Sequence, residues 1–380
     1  MKRPKVIWLC SWYPNKEDKF RGDFIERHAK AVHPFADIEV LHFVPYGASD
    51  ALETDQKNGF PVHIHYSSIQ NKLLSYMDMY RWFVVFLKDY IAEKGQPDIL
   101  HVHIPWKAGL VARRLKKMYS LPLIITEHHG IYNRIIENNY FTKSAFYKTM
   151  IKKVFKAANL VLPVSQSLGE EISEVVTPVK FEPVPNVVDI EKFHFQNITN
   201  GQKFRFLHIS NASENKNVRG IINAFAEAYN ENENLELILA GFDPTKWKLC
   251  IKDKGLPEDA IQCKGVLEYI EVAEQFRQAH CFIIFSDWES QSCVVLEALC
   301  SGRPVICSKV GGAKELVDLQ NGILIPPRDE EALKSAILET FIHFDEYHLE
   351  QISKEAQLKY SYANVGKQIL AHYQNILAEV

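Results

Sequence analysis

Several familiar signatures are missing from this sequence. It has no GxxxxGK(S/T) loop and no GxGxxG, so neither a P-loop NTPase nor an ordinary dinucleotide-binding dehydrogenase is indicated. No two aspartates sit two positions apart, which removes the Asp-x-Asp that chelates a metal on a sugar diphosphate. The seven cysteines, at 10, 250, 263, 281, 293, 300 and 307, form no CxxC pair, and several lie inside apolar runs. They read as buried free thiols in a reducing compartment. The apolar stretch Trp82 to Leu87, closed off by Arg81 and Lys88, falls far short of the roughly 18 residues that a membrane span needs. Val6 to Cys10 is likewise too short for a signal-peptide core and runs straight into Trp12-Tyr13-Pro14. The chain is therefore expected in the cytoplasm, with nothing crossing the bilayer.

The net charge is only −3, so no overall field favours nucleic acid, and no nucleic-acid partner is expected. The charge is unevenly spread. Residues 1–190 hold 25 Lys+Arg against 20 Asp+Glu, while the remainder holds 19 against 27. The N-terminal half is thus the one suited to an anionic acceptor or an anionic membrane.

A chain of 380 residues with 47% hydrophobic content suits two globular domains. Short apolar runs alternate with amphipathic helical stretches. The strand candidates are 6–10, 38–43, 99–102, 123–126 and 160–163, then 204–210, 235–240, 281–286, 304–308 and 322–326. Such runs separated by helices indicate parallel sheets covered on both faces. The pattern restarts after the polar stretch 190–203, which is taken as the boundary. The expected architecture is α/β, two Rossmann-like doubly wound domains facing across a cleft. The divisions are 1–192, 203–355 and a closing helix over 356–380 that crosses back to the first domain. Ligands bind outside the C-terminal ends of the strands, so the cleft is the default site.

The most informative segment runs from Phe285 to Val305. It starts at a strand end, places Glu289 in the loop, and puts Glu297 about two turns into the next helix. A helix N-terminus after a strand suits a diphosphate. Glu289 beside it can accept hydrogen bonds from sugar hydroxyls, and Glu297 can hold a ribose diol. A capping acid and an ordinary helix glutamate are the plain alternative. The pairs His63/His65, His101/His103 and His128/His129 are weighed as metal ligands, but no Cys or carboxylate partners stand at ligand spacing, and no metal is expected.

Glu289, seven residues, Glu297-Ala298, Gly302-x-Pro304-Val305, then Val310-Gly311-Gly312 and Glu315 resembles the donor signature of retaining glycosyltransferases of the GT-B fold, family 4 (group 1). The resemblance covers nearly the whole chain. It implies transfer of a sugar from a nucleotide-sugar donor to an acceptor hydroxyl with retention, in polysaccharide or glycolipid synthesis. The acceptor would be a sugar or a lipid-linked molecule. It further implies no protein nucleophile and no cofactor, the nucleotide sugar being a substrate. Ser290, Gln291, Ser292 and Cys293 fall in the donor loop. Lys216 matches the family lysine on the donor diphosphate, but the family arginine is Asn211 here, and the following glycine is Asn217. Leu239-Ala240-Gly241 and Lys264-Gly265-Val266 resemble strand ends that wall the nucleobase pocket. Val184-Pro185-Asn186-Val187-Val188-Asp189 with Phe193 resembles the family hinge. Gly22-Asp23-Phe24-Ile25 with Trp12-Tyr13-Pro14 resembles the glycine loop that approaches acceptor and phosphate. Thr126-Glu127-His128-His129-Gly130 resembles Thr-x-His-Gly, with His128 the better match for the catalytic histidine and His129 an alternative. Tyr360-Ser361-Tyr362-Ala363 through Tyr373 resembles the closing helix. On these matches Lys216, Glu289 and His128 carry the chemistry. The rival readings are a nucleotide-sugar 2-epimerase of related fold and a non-catalytic nucleotide-sugar-binding scaffold.

One more feature stands apart. Residues 138–169 contain no acid, and Lys148, Lys152 and Lys156 repeat every four residues, with Lys143 and Lys153 nearby. Such a helix can lie on anionic lipid, or it is simply a solvated face.

Overall fold

The computed structural model describes residues 3–198 and 203–379. The chain divides into two units, Met1–Val187 with Tyr362–Val380, and Val188–Ser361.

The first unit opens with β1 (Lys5–Cys10), α1 (Asp23–Val32), β2 (Asp37–Pro45), β3 (Ala51–Asp55) and β4 (Val62–Ser67). It continues with α2 (Lys72–Lys94), β5 (Ile99–His103), α3 (Ala108–Tyr119) and β6 (Leu123–Glu127). Then come α4 (Ala145–Ala157), β7 (Leu160–Pro163) and α5 (Gln166–Val175). Its sheet runs β3-β4-β2-β1-β5-β6-β7, parallel except where β3 pairs antiparallel with β4. Successive residues of β1 point to opposite faces. Ile7 and Leu9 enter one apolar cluster, and Val6, Trp8 and Cys10 enter another. Both faces are covered, so the central strands read as unbroken apolar runs.

The second unit holds β8 (Phe204–Ile209), α6 (Val218–Glu231), β9 (Leu235–Ala240), α7 (Lys248–Lys252) and β10 (Ile261–Cys263). It continues with α8 (Tyr269–Gln278), β11 (Cys281–Ile284), α9 (Cys293–Cys300), β12 (Val305–Ser308) and β13 (Gly322–Ile325). It closes with α10 (Glu330–Ile342) and α11 (Leu349–Tyr360). All six strands are parallel, in the order β10-β9-β8-β11-β12-β13.

Each strand read from the sequence is present. Three more exist: β3, mostly exposed, β4, and the three-residue β10. The domain boundary is corrected. It falls at Val187/Val188 rather than in the polar stretch, because Val188 and Phe193 are fully buried in the core of the second unit. Residues 199–202 of that stretch lie outside the described residues. The closing segment is also two helices, not one. The Ala356 and Tyr360 end of α11 packs in the second unit, and α12 (Tyr362–Glu379) belongs to the first.

The first unit keeps α12 through a buried polar chain as well as apolar packing. Trp8 Nε1 donates to Tyr373 Oη at 3.2 Å, Tyr373 Oη lies 2.7 Å from His101 Nδ1, and His101 Nε2 lies 2.7 Å from Thr126 Oγ1. Every member is buried and partnered, so the chain fixes which face of α12 meets the sheet.

Candidate functional site

In the second unit the strand order reverses between β8 and β11, the place where doubly wound sheets bind ligands. The loops that leave these two strands are joined. Asn215 Nδ2 donates to the Trp288 carbonyl at 2.9 Å, and the Trp288 and Asp287 amides donate back to Asn215 at 3.0 and 2.8 Å. Across this seam Lys216 Nζ meets Glu289 Oε1 at 2.5 Å, and Ser286 Oγ donates to the same oxygen at 2.6 Å. Glu289 is buried, yet its Oε2 carries no hydrogen bond among the described residues. That leaves an anchored carboxylate with one oxygen open to a hydroxyl donor.

The loop after β12 fixes the Glu289 backbone. Gly312 N donates to the Glu289 carbonyl at 2.9 Å. Gly311 has φ +44, and a Cβ placed there would sit 2.0 Å from the Glu289 oxygen. Only glycine permits that approach. Ser290, Gln291 and Ser292 lead into α9, which starts at Cys293. Ser292 caps this helix without a side-chain bond. Glu297 is therefore one turn into the helix rather than two, and it is buried. Gly241 N donates to the Gly265 carbonyl at 2.7 Å, so the ends of β9 and β10 meet, with Val266 exposed beside them. Asn211 is exposed, and its Oδ1 accepts from Ser213 N at 3.1 Å within its own loop.

The first unit has its own reversal, between β1 and β5. Gly22 caps α1 at φ +74, where a Cβ would press within 2.9 Å of the Trp12 carbonyl carbon. Asp23 is occupied by Arg27 Nη2 at 2.5 Å. His128 follows β6 and has both ring nitrogens engaged. Its Nδ1 donates to Asn186 Oδ1 at 3.2 Å, and its Nε2 faces His103 Nδ1 at 3.3 Å. Burial holds its pKa well below the usual histidine value, so it is neutral. Glu127 accepts the amide protons of His128 and His129, both at 2.9 Å, and the Tyr132 hydroxyl at 2.7 Å. Burial nevertheless pushes its carboxyl up to about 7.

The two neighbouring histidines are used differently. His129 packs on Trp12 with ring centroids 5.0 Å apart and lines a cavity of about 790 Å³ at the C-terminal ends of β1, β2, β5 and β6. His128 does not line it. Sequence reasoning missed the rest of this cavity, including His42, Trp106 and Lys107. Its sequence-level signals are the positive charge of the N-terminal half, the loop carrying Trp12, and the pair His128/His129. The adjacent histidine pairs weighed as metal ligands are not what the fold gathers. It brings ring nitrogens of His28, His103 and His128 within 4.8 Å of one another, all buried. Two of these are already bonded to each other.

Two family models divide the chain between them. "Glycosyltransferase Family 4" matches residues 25–192, and "Glycosyl transferases group 1" matches residues 189–358. The chain belongs to the group 1 glycosyltransferases of family 4. This glycosyltransferase is 26% identical over 311 residues to the alpha-monoglucosyldiacylglycerol synthase of Streptococcus pneumoniae, covering 77% of this chain and 69% of that one. It is 24% identical to a putative teichuronic acid biosynthesis glycosyltransferase of Bacillus subtilis, covering 88% of each. Among solved structures, sucrose-phosphate synthase of Thermosynechococcus elongatus superposes with a TM-score of 0.79 at 16% identity, covering 99% of this chain and 100% of that one. Anabaena HepE in complex with UDP gives 0.75 at 17% identity, covering 99% and 100%. The enzyme thus has the GT-B class of fold, two Rossmann-like units, and acts on nucleotide sugars. No helix among the described residues is long and apolar enough to cross a membrane.

Proposed function

We propose that this enzyme moves a sugar from a nucleoside diphosphate donor to an acceptor hydroxyl with retention at the anomeric carbon. The synthesis of a polysaccharide or glycolipid is the setting, as the relatives' names suggest. The observation that carries the reading is the Lys216–Glu289 pair across the switch point of the second unit. One group suits the charge that develops on the leaving diphosphate, the other the hydroxyls of the transferring sugar. Lys216 and the N-terminus of α9 stabilise the departing diphosphate, which accepts the acceptor's proton as its bond to the sugar breaks. No protein nucleophile and no metal are required. Glu297 holds the ribose, Gly241 and Val266 wall the base, and Ser290 to Cys293 line the phosphates. Asn211 contributes no cation. Gly22 and Asp23 shape the acceptor side. We assign the acceptor contact to His129, which lines the cavity, while His128 fixes the loop.

A peripheral membrane contact through α4 is part of the proposal in narrowed form. Lys148 Nζ is tied to the Phe141 carbonyl at 2.6 Å, whereas Lys152, Lys153 and Lys156 are exposed, as is Phe146. Co-sedimentation with anionic and neutral vesicles tests it, and equal partitioning would remove it.

The donor is tested by thermal shift against UDP-, GDP-, ADP- and dTDP-sugars. Anomeric configuration of the product by NMR tests retention. A donor-only incubation that converts the sugar would instead favour a 2-epimerase.

A further inference from the structure

The cavity of the first unit is lined by more cations than carboxylates. Arg21, Lys107 and Lys143 line it, and none makes an ion pair with a carboxylate among the described residues. Arg21 and Lys107 instead lie over the rings of Trp12 and Tyr46, at 5.8 and 6.0 Å. The rim also carries two carboxylates, Glu17 and Asp18, the latter accepting the Phe20 and Arg21 amides, both at 3.1 Å, so three cations face two acids and the lining keeps a net positive charge. Lys107 also sits at the N-cap of α3, whose first turn holds no acidic residue. The ammonium is thus added to the positive end of a 12-residue helix, the reverse of the favourable arrangement.

The backbone that presents these groups is strained. Tyr46, Ile104 and Lys107, all lining the cavity, have φ of +65, +64 and +68. Left-handed non-glycine residues cost energy, and a β-branched one more so. Strain of this kind gathers at ligand sites.

The floor carries a different signal. His42 is 3% exposed, and its Nδ1 donates to the Cys10 carbonyl at 2.9 Å. Its Nε2 is therefore an acceptor, with no hydrogen-bond partner among the described residues. Burial and the nearby Arg21 and Lys107 hold it neutral, with a pKa of about 4. A neutral imidazole acceptor below, aromatic rings at the sides and unpaired cations at the rim fit one ligand chemistry: a hydroxylated ring carrying an acidic group.

We propose that this cavity binds an anionic saccharide acceptor, with a hydroxyl on His42 Nε2 and a carboxylate or phosphate on Arg21 and Lys107. The inference rests on the glycosyltransferase reading and narrows its acceptor.

The test is a binding measurement on the full chain by calorimetry, with methyl β-glucuronoside, glucose 6-phosphate and methyl β-glucoside as probes. UDP is titrated in parallel. At least one charged probe should bind about tenfold or more tighter than the neutral glucoside, the scale of one charge-assisted contact. Which charged probe is preferred distinguishes carboxylate from phosphate. Arg21→Gln and Lys107→Met should each reduce that preference and leave UDP affinity unchanged. Arg21 is exposed, so its variant tests the idea even if Lys107→Met fails to fold. Equal binding of charged and neutral probes, no binding of any charged probe, or a preference that survives both variants would overturn the proposal. Loss of UDP binding by the wild-type chain would be a separate failure, that of the donor reading.

Discussion

Lys216 and Glu289, 73 positions apart, meet at 2.5 Å because the loops after β8 and β11 are stitched together by Asn215. Each group is the other's counter-ion. The pairing separates two functions that a single substitution can split. Glu289→Gln keeps the shape but frees Lys216 from its carboxylate. Affinity for the nucleoside diphosphate should hold or rise, while transfer should fall by about a hundredfold or more, the scale of losing one oriented polar group in a transition state. Calorimetry with UDP beside steady-state turnover reads both. A parallel loss of UDP affinity would mean that Glu289 holds the nucleotide rather than the sugar.

Gly311 tests the same carboxylate from behind. Alanine there would place its Cβ 2.0 Å from the Glu289 carbonyl, and its φ of +44 is unfavourable for any side chain. Gly311→Ala should cost about 1–3 kcal/mol of stability and lower transfer at least tenfold. Chemical denaturation and turnover on one preparation check this. A variant that is stable and active would show that the loop yields freely.

Much of this site could be read from the sequence, for a local reason. Glu289, α9 and Glu297 lie on one short strand-loop-helix segment, so spacing alone nearly places them. The missing elements fail the same logic. β3 is an exposed edge and β10 has three residues, so neither leaves an apolar run to detect. Trp12 and His129 of the acceptor cavity are legible from their motifs, but most of the cavity is not, because its walls come from four separate strand ends. Its decisive features, the left-handed Ile104 and Lys107 and the open nitrogen of His42, depend on backbone angles and hydrogen bonding rather than residue type. The boundary was misplaced because polar composition was taken for a linker, while one buried residue, Phe193, binds the segment to the second unit.

Asn211 stands where the family carries arginine, and its Oδ1 currently caps its own loop through Ser213 N. Asn211→Arg gives up that loop bond, which costs about 1 kcal/mol of stability in the free and bound protein alike, and gains a charge-assisted contact to the phosphate of about 1.5–3 kcal/mol. The nucleoside diphosphate should bind at least about 1.5 kcal/mol tighter, roughly tenfold or more. An unchanged affinity in a normally folded variant would mean that another residue meets the phosphate charge.

Metal independence is a further expectation, grounded in the missing Asp-x-Asp. Transfer should persist in excess EDTA. Complete loss that Mg²⁺ or Mn²⁺ restores would contradict it. A loss restored only by Zn²⁺ would point to His28, His103 and His128, the one group of ring nitrogens close enough among the described residues.

Acid should destabilise the protein, and the sign follows from its buried histidines. His28, His42, His129, His208 and His280 are held neutral, each with a pKa lowered by burial to about 4 from 6.5. Between those values the unfolded chain binds protons that the folded chain refuses. Stability from these groups is full above about pH 6.5 and is lost as the pH falls toward 4. Glu127 acts in the opposite direction. Its carboxyl is raised from 4.5 to about 7, so the folded chain keeps a proton that the unfolded chain releases, and this one group gains stability on acidification. Five histidines outweigh one glutamate. The urea midpoint should therefore drop clearly between about pH 7 and about pH 5, and Glu127→Gln should steepen the drop by removing the opposing term. A flat or rising profile on acidification would show that these histidines take up protons in the folded protein as readily as in the unfolded chain, and the neutral acceptor that His42 offers to the cavity would then be lost below about pH 6.5.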